Sequence, residues 1–175
     1  MGGGDVGGAK TQIMNTVTGL SRTNDVMLIS FRAGPFADEA RERGIDVRVI
    51  ERHNPFRAAR TMRDLVDEFK PDIIHCHGWM TALAPLYIKK VYKDEPSFRD
   101  AKVIFSLYED DFKQPFHADF SNKLLLKGIA KKDIAGLKEP IDYTALCKLA
   151  ADFSDGIIQQ SEHVNEEVLN YARES

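Results

Sequence analysis

Residues 71–79 read PDIIHCHGW, a proline that stops the helical pattern before it, a short apolar strand, and a glycine turn. Upstream, Ala58 to Phe69 places Met62, Leu65, Val66 and Phe69 on one helical face; downstream, Trp79 to Tyr92 reads as the next helix. Asp72 to Cys76 is therefore a strand held between two helices. The same alternation extends outward. Ile13, Val17 and Leu20 recur at helical spacing, Asp25 to Phe31 reads as a strand, and Phe36 to Arg43 as a helix ended by Gly44. Ile45 to Ile50 is a second strand and Lys102 to Leu107 a fourth. Tyr143 to Phe153 is a helix, Gly156 to Gln159 a fifth strand, and Ser161 is expected to cap the last helix, with Glu162, Glu166 and Glu167 in its first turns.

Strands separated by helical stretches of ten or more residues predict an α/β fold, a Rossmann-like doubly wound parallel sheet. A glycine loop that feeds a helix normally follows a strand, yet only Met1 to Gly4 precedes this one. The expectation is a missing first strand and an exposed strand edge near the sheet centre.

The chain has 175 residues, 24 Lys plus Arg against 27 Asp plus Glu, and 43% hydrophobic residues. That length and balance predict one domain over residues 1–175 with a full core, and exclude a disordered chain or a disulfide scaffold. A net charge of -3 gives no electrostatic footprint for nucleic acid. The apolar runs are too short to span a membrane, the glycine-rich start does not resemble a leader, and Cys76 and Cys147 fit reduced thiols of the cytoplasm. Residues 1–77 hold nine Arg and two Lys, whereas residues 78–175 hold two Arg and eleven Lys. A switch near residue 77 points to two sequence origins or to uneven use of surface residues in one gene.

Open parallel sheets bind ligands beyond the carboxyl ends of their strands. His75 and His77 alternate onto one face at such an end, followed by Gly78 and Trp79, and an imidazole there can hydrogen-bond a sugar hydroxyl or a developing charge. A metal is not expected, because two imidazoles and the intervening Cys76 thiol cannot all face one ion. After the fourth strand, Tyr108-Glu109-Asp110-Asp111 offers carboxylates for hydroxyl binding, or simply a solvated acidic run. Gly7, Gly8 and Lys10 form a glycine-rich helix start suited to a phosphate, although the spacing matches neither a Walker loop nor a dinucleotide fingerprint. Ser161 closes the fifth strand, His53 follows the second, and His117 and His163 have no partner at meaningful spacing.

Two family resemblances run through these residues. GGGDVGGAKTQIMNTVTGLS with VMLISFRAGPFADEARERGIDVRVI, within residues 1–77, resembles the start of family-four type glycosyltransferases. PDIIHCHGWMTALAPLYIKKVY, VIFSLYEDDF and KLAADFSDGIIQQSEHVNEEVLNYA, within residues 71–175, resemble the amino-terminal catalytic domain of glycogen and starch synthases, particularly a Bacteroidetes-type version. The two meet at PDIIHCHG, which makes a chimera one reading of the chain.

Both resemblances imply a GT-B enzyme, two facing Rossmann-like domains that move a sugar from a nucleotide donor to an acceptor with retention. The synthase resemblance implies ADP-glucose or UDP-glucose as donor substrate with no separate cofactor and a glucan acceptor, and both imply a carboxyl-terminal nucleotide-sugar domain that lies outside these residues. By resemblance His77 is the catalytic histidine that contacts the transferred glucose, and Gly7 and Gly8 are the glycine loop. Lys10 falls near the loop lysine but on the wrong side of the glycines. Gly78 stands where the synthase pattern has Asp, Met80 where it has a second His, and Tyr108 and Glu109 where it has a His-Asn pair. An inactive fragment or engineered fusion is the alternative, and a nucleotide-binding or redox Rossmann module lacks its fingerprint.

Overall fold

The fold is taken from a computed structural model, which describes residues 8–50, 55–117 and 119–174. The chain divides into two compact units, Met1–Lys70 and Pro71–Ser175.

In the first unit, α1 (Gly8–Leu20), β1 (Met27–Ser30), α2 (Pro35–Glu42), β2 (Asp46–Val49) and α3 (Pro55–Phe69) alternate. β1 and β2 pair in parallel from Met27 opposite Asp46 to Ser30 opposite Val49. Pro35 sits in the first turn of α2, where its missing N–H costs nothing, and Gly44 ends that segment at φ 80°, a left-handed conformation that favours glycine. Met14 and Val17 of α1, Ala37 and Ala40 of α2, and Ile45 and Val47 form the buried cluster, with Leu28 and Val49 packed against it.

The second unit contains β3 (Ile73–His77), α4 (Ala84–Lys90), α5 (Pro96–Arg99), β4 (Lys102–Leu107), α6 (Phe120–Lys123), α7 (Tyr143–Asp152), β5 (Gly156–Gln159) and α8 (Glu166–Glu174). Its parallel sheet has the order β3-β4-β5. β4 is flanked on both sides, and its Val103, Phe105, Ser106 and Leu107 are all buried. Leu86 of α4, Leu146 and Cys147 of α7 and Val168 of α8 complete this core. Burying each large aliphatic or aromatic side chain contributes about 1.5–3 kcal/mol. Asp155, just before β5, accepts from the Val103 N–H at 2.7 Å and pairs with Lys89 at 2.5 Å, tying the start of β4 to α4.

The fold is therefore α/β and Rossmann-like, with parallel sheets and helices between the strands, and all five strands lie where the apolar pattern places them. Two elements differ from expectation. Trp79 to Tyr92 is not one helix. Trp79–Thr81 forms a 3-10 turn and α4 begins afresh at Ala84, because Pro85 is accommodated in a first turn and not in a helix interior. Ser161 does not cap the last helix. Asn165 does so, its Oδ1 accepting from the Val168 N–H at 3.1 Å, and Glu162 lies ahead of the helix.

Among the described residues β1 pairs with β2, and β3 with β4. The region ahead of α1, where a first strand is expected to be missing, lies outside the described residues, as does Gly7. No helix among the described residues is long and apolar enough to cross a membrane.

Candidate functional site

The carboxyl ends of β3, β4 and β5 converge in the second unit, and the alternation of β3 sets what faces what. Cys76 turns into the core, where burial pushes its thiol up to about 12. His75 and His77 turn to the opposite face and stack, ring centroids 4.0 Å apart. In the parallel register His75 lies beside Ile104 and His77 beside Ser106. Each imidazole reaches two residues further along β4. His75 Nε2 lies 2.7 Å from the Ser106 hydroxyl and His77 Nδ1 lies 2.8 Å from the Tyr108 hydroxyl.

Burial lowers the pKa of His75, and burial together with the neighbouring His75 takes His77 down to about 3. Both rings are therefore neutral at physiological pH and can hydrogen-bond without carrying a positive charge. Tyr108 is 2% exposed, and burial, then the Asp110 carboxylate, pushes its phenol up to about 12.

Gly78 follows at φ 72° and ψ 173°, a region open to glycine and strained for other residues. Its N–H donates to the Ser106 carbonyl at 3.1 Å. A Cβ at position 78 would overlap Asp110 Oδ2, closer than real Cβ contacts come. That same oxygen accepts from the Trp79 N–H at 3.1 Å, and Asp110 Oδ1 accepts from the Tyr143 hydroxyl of α7 at 3.0 Å. The glycine, the 3-10 turn and the carboxylate thus form one clasp between the ends of β3 and β4. Burial raises the Asp110 pKa against the opposing pull of the Trp79 and Tyr143 hydrogen bonds. Beyond the clasp the Trp79 ring lies 4.9 Å from Phe112 and 6.4 Å from Phe116.

The structure brings His75, His77, Gly78, Trp79, Tyr108, Glu109 and Ser161 to one end of one sheet. Ser161 Oγ accepts from the Glu109 N–H at 3.3 Å, joining the ends of β4 and β5, while the Glu109 side chain is exposed. Gly8 and Lys10 stand at the start of α1 in the first unit; a Cβ at Gly8 would meet open space, so packing does not demand glycine there. His53 lies outside the described residues. Reading by sequence missed Ser106, Tyr143 and the individual role of Asp110. Asp110 stands in a run of three acids, and only the Gly78 turn it fits distinguishes it from its neighbours. Among the described residues no group of three or more His, Cys, Asp or Glu is placed to hold a metal ion.

Residues 48–174 match the family model described as the starch synthase catalytic domain. The glycogen synthase of Desulfitobacterium hafniense is 30% identical over 109 residues, covering 61% of this chain and 21% of that protein. The glycogen synthase of Pelodictyon phaeoclathratiforme is 52% identical over 40 residues, covering 23% of this chain and 8% of that protein. That of Desulforamulus reducens is 27% identical over 101 residues, covering 58% and 21%. The chain thus spans about a fifth or less of the length of these curated relatives. No solved structure gives a significant match.

Proposed function

The chain belongs to the starch synthase catalytic domain family, and from that premise we propose that it is the amino-terminal, acceptor-side part of a retaining glucan-forming glycosyltransferase of the cytoplasm. In this reading glucose passes from ADP-glucose or UDP-glucose to the end of a glucan. The observation that carries it is the stacked, neutral His75 and His77 pair at the strand ends, tethered to Ser106 and Tyr108. A neutral imidazole can hydrogen-bond a sugar hydroxyl without attracting the donor's phosphates away from their own site. His77 is the group assigned to the transferred glucose. Trp79 offers an aromatic surface for a sugar ring, and Gly8 and Lys10 belong to the helix start assigned to phosphate. Position 78 contributes no side chain, so in this reading the nearest carboxylate is that of Asp110.

In this reading the α1 start approaches the donor phosphate, while most of the stabilisation of the phosphate leaving group is assigned to a carboxyl-terminal domain outside residues 1–175. One wall of a cleft does not preorganise a transition state, so the chain alone is expected to be nearly inactive. The family match runs through His77, where Arg gives way to Lys, and this favours one transferase half over a join at that point. The family-four resemblance is kept as a proposal for the residues ahead of Arg48.

Nucleoside diphosphate release from ADP-glucose and UDP-glucose tests the reading, with a maltooligosaccharide acceptor and with or without an added synthase carboxyl-terminal domain. Release is expected only on complementation, and His77→Ala should lower it by about 100-fold or more. Absence of transfer from either donor in the complemented protein would sink the proposal.

A further inference from the structure

The His77 ring can carry its single proton on either nitrogen, and the two forms present opposite chemistry to a ligand. Nδ1 is engaged with the Tyr108 hydroxyl at 2.8 Å. Nε2 has no hydrogen-bond partner among the described residues and is not one of their buried unpaired atoms, so it is the open side of the ring. The hydrogen bond to Nδ1 has two polarities. In one, Nδ1–H donates to the phenol oxygen and Nε2 is left as an acceptor. The phenol hydrogen then needs an acceptor of its own, in a side chain only 2% exposed whose hydroxyl meets no other group among the described residues. In the other, the phenol O–H donates to Nδ1, every polar hydrogen of the pair is used, and Nε2–H faces outward. Leaving a buried donor unpaired is costly enough to favour the second arrangement by about tenfold or more.

We propose that Tyr108 is a positioning residue whose phenol O–H donates to His77 Nδ1 and holds the imidazole in the Nε2–H form, presenting a hydrogen-bond donor at the open end of β3. The surroundings support a single fixed state. His75 stacks on one face of His77, centroids 4.0 Å apart, and is itself tethered to Ser106, which is fully buried, so the ring is held at that face and at its Nδ1 edge. The low proton affinity of His77 removes the doubly protonated form from consideration at neutral pH. The ligand this edge fits is an uncharged hydroxyl acting as acceptor. That last step rests on the transferase reading, whereas the tautomer does not.

Nitrogen-15 NMR of the imidazole rings in the full chain tests the assignment, the five histidines being told apart by the signal lost in His77→Gln. The expected spectrum has His77 Nε2 protonated and Nδ1 as a hydrogen-bonded acceptor. Y108F, which keeps the aromatic ring and removes only the donor, should move the Nδ1 resonance toward that of an unbonded ring nitrogen. A protonated Nδ1 in the unaltered chain would overturn the proposal, and that measurement does not need Y108F to fold. An unchanged Nδ1 resonance in a folded Y108F would overturn it as well. Both readouts are independent of sugar transfer, so a failure of the transferase reading leaves them standing and separately decidable.

Discussion

β1 and β4 are both short parallel strands rich in Leu, Ile, Val or Phe, yet every residue of β1 is half-buried while four of the six in β4 are buried outright. The difference lies in neighbours and not in apolar content. β4 has a strand on each side, whereas β1 pairs with β2 alone among the described residues. A central strand loses solvent on both edges and both faces, and a side chain on it can be fixed by groups from either neighbour. The candidate site has this support. Ser106 and Tyr108 project from β4 and its extension, and the first unit offers no comparable hydrogen-bonded cluster among the described residues.

The largest expected effect tests this directly. Phe105, fully buried in β4, should destabilise the second unit by about 3–5 kcal/mol when replaced by Ala, because a large cavity opens where neither flanking strand can close it. Leu28 occupies the corresponding kind of position in β1 but is only partly buried, and Leu28→Ala should cost about 1 kcal/mol. Urea unfolding followed by circular dichroism measures both. Equal losses would show that β1 is as enclosed as β4, and the contrast between the strands would be void.

A smaller loss is expected at the β3 end. Gly78→Ala forces a side chain into a glycine-only backbone conformation and against Asp110, and should cost about 2–3 kcal/mol. Trp79 is the chain's one tryptophan, and its backbone N–H is held by the carboxylate that the new methyl displaces. Its fluorescence should therefore shift along with the stability. A variant as stable as the original, with unchanged emission, would show that the clasp is not what shapes this turn.

The difference between the strands also explains what could be read in advance. The five strands were legible because apolar runs between helical repeats mark them whatever their depth in the sheet. The pairing of His75 with His77 was legible because a period of two fixes the face of each residue. Depth was not legible, since Met27–Ser30 and Val103–Leu107 look alike as text and differ only in what lies beside them. Asp110 was hidden for a related reason. Its selection from among Glu109, Asp110 and Asp111 depends on a bend after Tyr108 and on Tyr143, a partner 33 residues away on α7. Ser161 fitted a helix cap by residue type, but Asn165 stood closer to the first turn of α8 and took that place.

The smallest expected effect concerns the sign of the Asp110 contribution, where two forces compete. Burial disfavours the carboxylate, while the Trp79 N–H and the Tyr143 hydroxyl stabilise it, and burial is the larger, so the folded pKa lies above the ordinary value near 3.9. A raised folded pKa means that the folded state holds its proton to higher pH than the unfolded chain does. The associated stability is complete below the unfolded pKa and is lost as pH rises through the folded one. Asp110→Asn removes the titration and keeps the clasp, because its carbonyl can accept from Trp79 while its amide donates to Tyr143, whose hydroxyl can still reach the Tyr108 carbonyl at 3.3 Å. Between pH 4 and pH 7 the Asn variant should therefore gain on the parent chain, by under about 1 kcal/mol. Urea midpoints across that range decide it. A parent chain that gains on the variant as pH rises would mean that the two hydrogen bonds outweigh burial, making Asp110 an ionised anchor of the turn.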